Sequence, residues 1–217
     1  MIDPGQVTAC LVTRGDQPDA MARIRESLIF DQVIVWDNST APFDAKCAGR
    51  YYAALGSRTR VVYFQDDDVI VPRETQQAIV AAYRPRVMVA NWGHGDDPDG
   101  YDDLPLVGGG AIVDRDLPWI GLSRYLERFP LDDGFLYEAD FVAGVLYRQF
   151  EHLRLPFEID PSIAQDPSRL CSQEWQRDLK LEITVRARGI RDDRAGFAEA
   201  VAFASMNLRG YGTEAVA

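Results

Sequence analysis

Short apolar runs alternate with stretches of helical periodicity along the first ninety or so residues of the chain. Residues 7–13 form an almost unbroken apolar run ended by Arg14-Gly15-Asp16, which predicts a buried strand. Residues 18–30 carry Met21, Ile24, Leu28 and Ile29 at helical spacing. A second short strand is predicted over 32–36, stopped by Asp37-Asn38-Ser39-Thr40. Residues 44–55 fit a helix with Ala45, Ala48, Tyr52 and Leu55 inward, and 60–64 a third strand. A helix over 72–83, ended by Pro85, and a fourth strand over 86–92 complete this part. Strands alternating with helices predict an α/β fold with a mostly parallel sheet covered on both faces.

Beyond Trp92 the pattern changes. Residues 93–103 are crowded with Gly, Pro and Asp and predict a loop or lid. Residues 104–113 read as strand-like around Gly108-Gly109-Gly110, 117–129 as a helix, and 141–150 as a buried helix. A strand is expected over 153–159, helices over 167–188 and 194–208, and a loose tail from Gly210. The expected organisation is a single domain. Residues 1–92 form a nucleotide-binding half, 93–190 an acceptor and catalytic half, and 191–217 a closing helix and tail.

The chain has 217 residues, enough for one α/β domain with a full core. Its formal net charge of -11 argues against a nucleic-acid footprint or attraction to anionic lipid. That charge does not oppose a bound nucleotide, because one metal ion and one or two arginines suffice for a diphosphate. Cys10, Cys47 and Cys171 are widely separated, which suits packing residues rather than a disulfide framework or a zinc site. The start shows no basic segment followed by an apolar one, and no run is long enough to span a membrane, so a soluble, cytoplasmic protein is expected.

The chemistry concentrates at Asp66-Asp67-Asp68, which follow the apolar run of the third strand. Like charges at a strand end repel one another and raise each other's pKa unless cations or donors intervene. Hard divalent ions take a few carboxylate ligands and share the rest of their shell with phosphates and water. In open α/β sheets ligands bind at this end of the strands. An Asp-rich turn that merely leads into the helix beginning near Pro72 is the plain structural alternative.

Two other strand ends carry Thr13-Arg14-Gly15-Asp16 and Asp37-Asn38-Ser39, which share a pocket with the aspartates if the three strands are neighbours. Each is also ordinary strand-to-helix turn chemistry. Arg50 either rides on the solvent face of its helix or points at a diphosphate. The glycine run around Gly109 marks a sharp bend or a close approach of backbone, and matches neither a dinucleotide fingerprint nor a Walker loop. Glu138 and Asp140 precede an apolar helix. They serve there as helix caps or as carboxylates at a pocket rim. His94 and His152 stand at no metal-ligand spacing to the aspartates, and Trp92, Trp119 and Trp175 are core residues or sugar-stacking platforms.

An acidic DxD after an apolar strand, preceded by Val33-Ile34-Val35-Trp36-Asp37-Asn38-Ser39, resembles the GT-A glycosyltransferases. It is most similar to their exostosin-like α-N-acetylhexosaminyltransferase domains. The similar stretches, 33–39, 61–71, 106–114 and 132–144, run in the family's order. The resemblance implies a Rossmann-like GT-A fold, a nucleotide-sugar donor (usually a uridine diphosphate sugar), Mn²⁺ or Mg²⁺, and retention of anomeric configuration. It implies that Asp68, with Asp66, ligates the metal. It further implies that Asp66 and Asp67 meet ribose or sugar hydroxyls, and that Thr13, Arg14, Asp37, Asn38, Ser39, Arg50 and Gly109 lie around the nucleotide. Asp140, with Glu138 beside it, matches the carboxylate near the anomeric carbon, and Arg177 a late diphosphate-binding arginine. If Asp140 instead deprotonates the acceptor for in-line attack, configuration inverts. No histidine follows His152, so the metal site is lean. The acceptor does not carry over from the family. Two other readings stand beside a glycosyltransferase. One is a nucleotidyltransferase that makes nucleotide sugars, for which the loop at Thr13-Arg14-Gly15-Asp16 is short and acidic. The other is a catalytically silent sugar-nucleotide-binding protein.

Overall fold

A computed structural model of the chain describes residues 2–91, 104–147, 149–160 and 174–192, with the side chains of Glu174 and Arg177 outside that description. The expected lid over 93–103, Trp92, His94, Cys171, the expected helix over 194–208 and the tail from Gly210 lie outside the described residues.

The predicted alternation is realised closely in the first half. The strands are β1 (Val7–Thr13), β2 (Gln32–Asp37) and β3 (Val61–Phe64), and the helices are α1 (Pro18–Ser27), α2 (Gly49–Leu55) and α3 (Arg73–Ala82). Every residue of β1 is buried, as expected of a strand with neighbours on both edges and layers on both faces. It pairs in parallel with β2 and with β3. The six-stranded sheet has the order β2-β1-β3-β6-β5-β7, completed by β5 (Met88–Ala90), β6 (Ala111–Asp114) and β7 (Phe150–His152). Because β6 runs antiparallel to both β3 and β5, the sheet is mostly but not wholly parallel. Strands from both expected halves share it, so the sheet does not divide near residue 92.

Side-chain alternation sends Cys10, Val62 and Phe64 to one face of the sheet and Ala9, Leu11, Val61 and Tyr63 to the other. Helices α2, α4 (Leu117–Leu126), α5 (Asp133–Tyr137), α6 (Ala139–Leu146) and α7 (Glu174–Asp192) cover the first face, and α1 and α3 the second. The chain is therefore a three-layer α/β structure. No described helix is long and apolar enough to cross a membrane.

Several expectations are corrected. The strand expected over 104–113 is confined to β6, because the chain turns at Gly108–Gly110, where Gly110 has a φ of 103° and donates to Val107 O at 3.1 Å. The helix expected over 141–150 starts earlier and stops at Leu146. Tyr147 is extended, and Phe150 joins β7 beside Met88. The strand expected over 153–159 shrinks to β8 (Glu158–Ile159), which pairs with β4 (Val69–Ile70) directly after the three aspartates. The helix expected from Asp44 opens as a short 3-10 turn (Lys46–Ala48). Leu55 is half exposed, while Arg50 and Tyr51 are buried in its place.

The rotation of α2 depends on Gly49. A Cβ at Gly49 would sit 2.6 Å from both Val12 Cγ2 and Trp36 Cδ1, so only glycine lets the helix lie this close to β1 and β2. Gly49→Ala gains about 1 kcal/mol of helix propensity. It loses about 2–3 kcal/mol to overpacking against buried Val12 and partly buried Trp36. The expected outcome is a net destabilisation of about 1–2 kcal/mol in urea unfolding, and a variant as stable as the parent would show that the contact relaxes freely.

Candidate functional site

The parallel register brings the three predicted strand ends together. Thr13 stands beside Asp37, and Cys10 beside Phe64. Continuing that register three residues puts Asp67 level with Thr13, whose hydroxyl hydrogen-bonds the Asp67 carboxyl. Above these ends lies an open cavity of about 1020 Å³. Thr13, Arg14, Asn38, Ser39, Arg50, Asp66, Asp67, Asp68, Glu138 and Asp140 all line it. Chain segments up to 127 residues apart in sequence thus meet at the position where ligands of open α/β sheets bind.

Arg50 is the centre of the polar wall. Its side chain is 3% exposed, with Nη2 at 2.6 Å from Asp66 Oδ1 and 3.6 Å from Asp140 Oδ2. Its Nε donates to Cys47 O at 3.3 Å. Burial opposes the charge on Arg50, but Asp140 and Asp66 outweigh it and hold the guanidinium firmly protonated. Nη1 is buried without a hydrogen-bond partner among the described residues, an unusual state for so strong a donor. The solvent-face alternative for this arginine is excluded.

Asp140 lies in the first turn of α6 but does not cap it. Its Oδ1 accepts a hydrogen bond from Tyr51 Oη at 2.6 Å. Burial raises its pKa, while Arg50 and the tyrosine hydroxyl pull the other way. Glu138 occupies the N-cap position of α6 without a capping hydrogen bond. Its Oε1 accepts instead from Gln176 Nε2 at 2.7 Å. The carboxyl is almost wholly buried, and burial lifts it to about 7, against the hydrogen bond from Gln176 and the charge of Lys180. The capping alternative for this pair is therefore not what the fold uses. The cap that does form is Asp132 on α5, accepting from Phe135 N at 2.9 Å.

Burial likewise pushes the Asp67 carboxyl up to about 6, opposed by the Thr13 hydroxyl and reinforced by Asp66 and Asp68. Asp68 lines the cavity, and its carbonyl accepts from Asp160 N at 2.8 Å. Asp160 is itself clamped by Arg23 through Nε at 3.0 Å and Nη2 at 2.8 Å. The β4–β8 pair and this clamp hold the chain immediately after the aspartates.

Other expected residues are placed differently. Asn38 lines the cavity, yet its amide is engaged within its own loop. Oδ1 accepts from Trp36 Nε1 at 3.1 Å and Ala45 N at 2.9 Å, and Nδ2 donates to Lys46 O at 3.2 Å. Asp37 lies beside a smaller cavity of about 570 Å³, and Ser39 Oγ and N hydrogen-bond its carboxylate and keep it below the usual range. Arg14 pairs with Asp16 at 2.8 Å. Gly109 does not line the cavity. A Cβ there would meet Asn91 O and Phe157 at 3.0 Å, and its carbonyl accepts from Asn91 Nδ2, so its role is in the bend. The Arg177 side chain lies outside the described residues. Cys10 is buried, Cys47 borders the cavity, and His152 stacks on Phe150 in β7.

The sequence reading missed Tyr51, Gln176, Lys46 and Tyr137, and gave Trp175 no fixed place. Tyr51 and Asp140 are 89 positions apart, and no local pattern marks such a contact. A glutamine following an exposed tryptophan on a helix start is the only hint that Gln176 offers.

Among the described residues no three His, Cys, Asp or Glu side chains converge as a ready cation site. Asp68 and Asp66 line the cavity and are the carboxylates that could hold a hard divalent ion such as Mn²⁺ or Mg²⁺. The acid-rich lining favours a cation in the same way. Comparison with known protein families and with curated proteins finds no match for this chain. The structure itself defines an α/β protein of Rossmann-like architecture with an acidic cavity at the carboxyl ends of its parallel strands.

The raised Glu138 carboxyl has a measurable consequence. Its folded-state pKa lies above the ordinary 4.5, so its contribution to stability is full below about pH 4.5 and is lost as pH rises through about 7. Glu138→Gln removes the charge and keeps an acceptor for Gln176. Its stability gain over the parent should be small at pH 5 and reach roughly 2–3 kcal/mol at pH 8 in paired denaturation curves. An equal gain at both pH values would place the ionisation elsewhere.

Proposed function

We propose that the protein is a metal-dependent glycosyltransferase of GT-A type. It takes a sugar from a nucleoside diphosphate sugar, with uridine as the base by the resemblance, and transfers it to an acceptor hydroxyl. One observation carries this reading. The aspartate run after β3, the buried Arg50, and the carboxyls Asp140 and Glu138 meet in one cavity at the carboxyl ends of β1, β2 and β3.

Among the described residues each cation of the cavity is paired with a carboxylate of the same cavity: Arg14 with Asp16, Lys46 with Asp44, and Arg50 with Asp66. A diphosphate entering so acidic a space needs a further positive charge. Asp68 and Asp66 would hold Mn²⁺ or Mg²⁺, which when bound would supply that charge and offset the negative charge of a leaving diphosphate. Arg50 orients Asp66 and Asp140, and its guanidinium adds a fixed positive charge to the cavity wall. In the transfer, the acceptor oxygen bonds to the anomeric carbon as the bond from that carbon to the phosphate oxygen breaks. The electron pair leaves with the nucleoside diphosphate, and the hydroxyl proton passes to ionised Glu138. A group titrating near 7 is well matched to that role. Asp140, kept in place by Tyr51 and Arg50, stabilises positive charge developing on the sugar.

A second reading has one observation in its favour. Both oxygens of Asp140 are engaged by the chain's own Tyr51 and Arg50, as a purely structural anchor would be. The protein would then bind sugar nucleotides without turnover.

Asp68→Ala should weaken Mn²⁺-dependent UDP binding at least about tenfold by calorimetry, since a carboxylate ligand is lost, while the melting temperature is unchanged or slightly higher. UDP should bind better than ADP or GDP. Tight UDP binding in excess chelator, or unchanged affinity in the variant, would remove the metal from the proposal.

Turnover should follow the acidic pair. Release of nucleoside diphosphate from a panel of nucleotide sugars should show kcat/KM rising with pH through about 7. The rise should vanish in Glu138→Gln. Asp140→Asn should cost at least about 10²-fold in kcat with UDP affinity nearly intact. UDP binding without turnover of any donor would favour the silent reading.

A further inference from the structure

We propose that Tyr137, Trp175 and Phe141 form the acceptor subsite of the cavity and that its occupant is a neutral saccharide; this rests on the glycosyltransferase reading. The strand ends supply the acidic side of the cavity, whereas α5, α6 and α7, which pack on one another, supply an aromatic side. Tyr137, at the end of α5, and Trp175, at the start of α7, form an edge-on pair with ring centroids 5.2 Å apart. Trp175 lines the cavity and is nevertheless 47% exposed. Ile159, also half exposed, lines the cavity as well. An indole left in water beside a concave, polar site is a platform for the apolar C–H face of a pyranose ring.

Polar groups stand beside this platform at the right scale for sugar hydroxyls. Gln176 follows Trp175 directly and shares one hydrogen bond with Glu138. An amide and a carboxyl together have more donor and acceptor capacity than that single bond consumes. A hydroxyl held there lies against Glu138, the group assigned to receive its proton. Lys46 Nζ lies 5.2 Å from the Tyr137 ring centroid, and Lys180 Nζ 4.7 Å from that of Phe141, so both rings are in cation–π contact.

Charge selects the kind of saccharide. Among the described residues the cavity lining carries seven carboxyl groups and three cationic side chains, each cation already paired with a carboxylate there. A uronate, sulfated or phosphorylated acceptor would meet this carboxyl excess, with the cations of the lining already paired. A neutral sugar does not. The cavity, about 1020 Å³, lies at the top of the range of roughly 300–1,000 Å³ usual for small-ligand sites.

The test uses the whole protein with UDP and Mn²⁺ bound, titrated by calorimetry and tryptophan fluorescence with p-nitrophenyl hexosides and p-nitrophenyl glucuronide, which share an aglycone. At least one neutral hexoside should bind, and the glucuronide at least about tenfold more weakly, as expected for an uncompensated charge. Trp175→Ala should weaken hexoside binding about tenfold, Trp175→Phe should restore most of it, and UDP affinity should stay within about twofold in both. Because Trp175 is half exposed, both variants should melt with the parent. Equal or tighter glucuronide binding, absence of any hexoside binding, or an unchanged hexoside affinity in Trp175→Ala overturns the acceptor inference. Failure of UDP to bind at all, whatever the hexosides do, overturns instead the glycosyltransferase reading beneath it.

Discussion

The site is organised around one buried guanidinium. Arg50 stands between Asp66, at the end of the third strand, and Asp140, in the first turn of α6. A charge this deeply buried is tolerable only with compensating charge at contact distance. The same requirement works in reverse on the carboxylates, since without Arg50 two acids would be left in a partly desolvated cavity. The position of α2 relative to the sheet, and of α6 relative to α2, is therefore tied to charge balance as well as to apolar packing. Gly49 permits the close approach, and Arg50 and Tyr51 turn it into polar contacts.

Around that centre the acidic groups differ by environment. Asp140 is held by a tyrosine hydroxyl and a guanidinium, while Glu138, two residues earlier, has a neutral amide and the charge of Lys180. Two carboxyls of similar intrinsic acidity thus sit in different electrostatic surroundings. Burial raises both carboxyls, and at Asp140 the guanidinium and the tyrosine hydroxyl oppose that rise. The aspartate run behaves in the same way. Asp66 is paired with Arg50, Asp67 is turned to Thr13, and Asp68 follows the chain into the β4–β8 pair.

Much of the scaffold was legible in residue patterns. β1 coincides with its apolar run, and the helices that begin at Pro18 and Leu117 start where proline and periodicity mark them. The convergence of three strand ends was expected on the condition that the strands are neighbours, which the order β2-β1-β3 meets. Less legible was much of the chain after Trp92. There the pattern carries an antiparallel strand behind a glycine bend and a helix that ends early. It also carries a two-residue strand that pairs with a segment nearly ninety positions away.

The sequence by itself determined which residue types are concentrated at which strand ends, because strand and helix periodicities are local and a buried parallel strand demands a continuous apolar run. It also determined the acidity of the site, since Asp66-Asp67-Asp68 is contiguous. Only the tertiary structure decided which of these groups meet. Whether Arg50 faced solvent or the cavity depended on the roll of α2 over Gly49, and a short helix beginning in a 3-10 turn does not announce its roll. Whether Asp140 capped its helix or answered Arg50 depended on a contact 90 positions back along the chain. Gly109, which shares its sequence stretch with a candidate site, was assigned to the bend by the packing of Phe157 and Asn91. Local patterns set what each segment can offer, and long-range packing and charge compensation choose which offers are used.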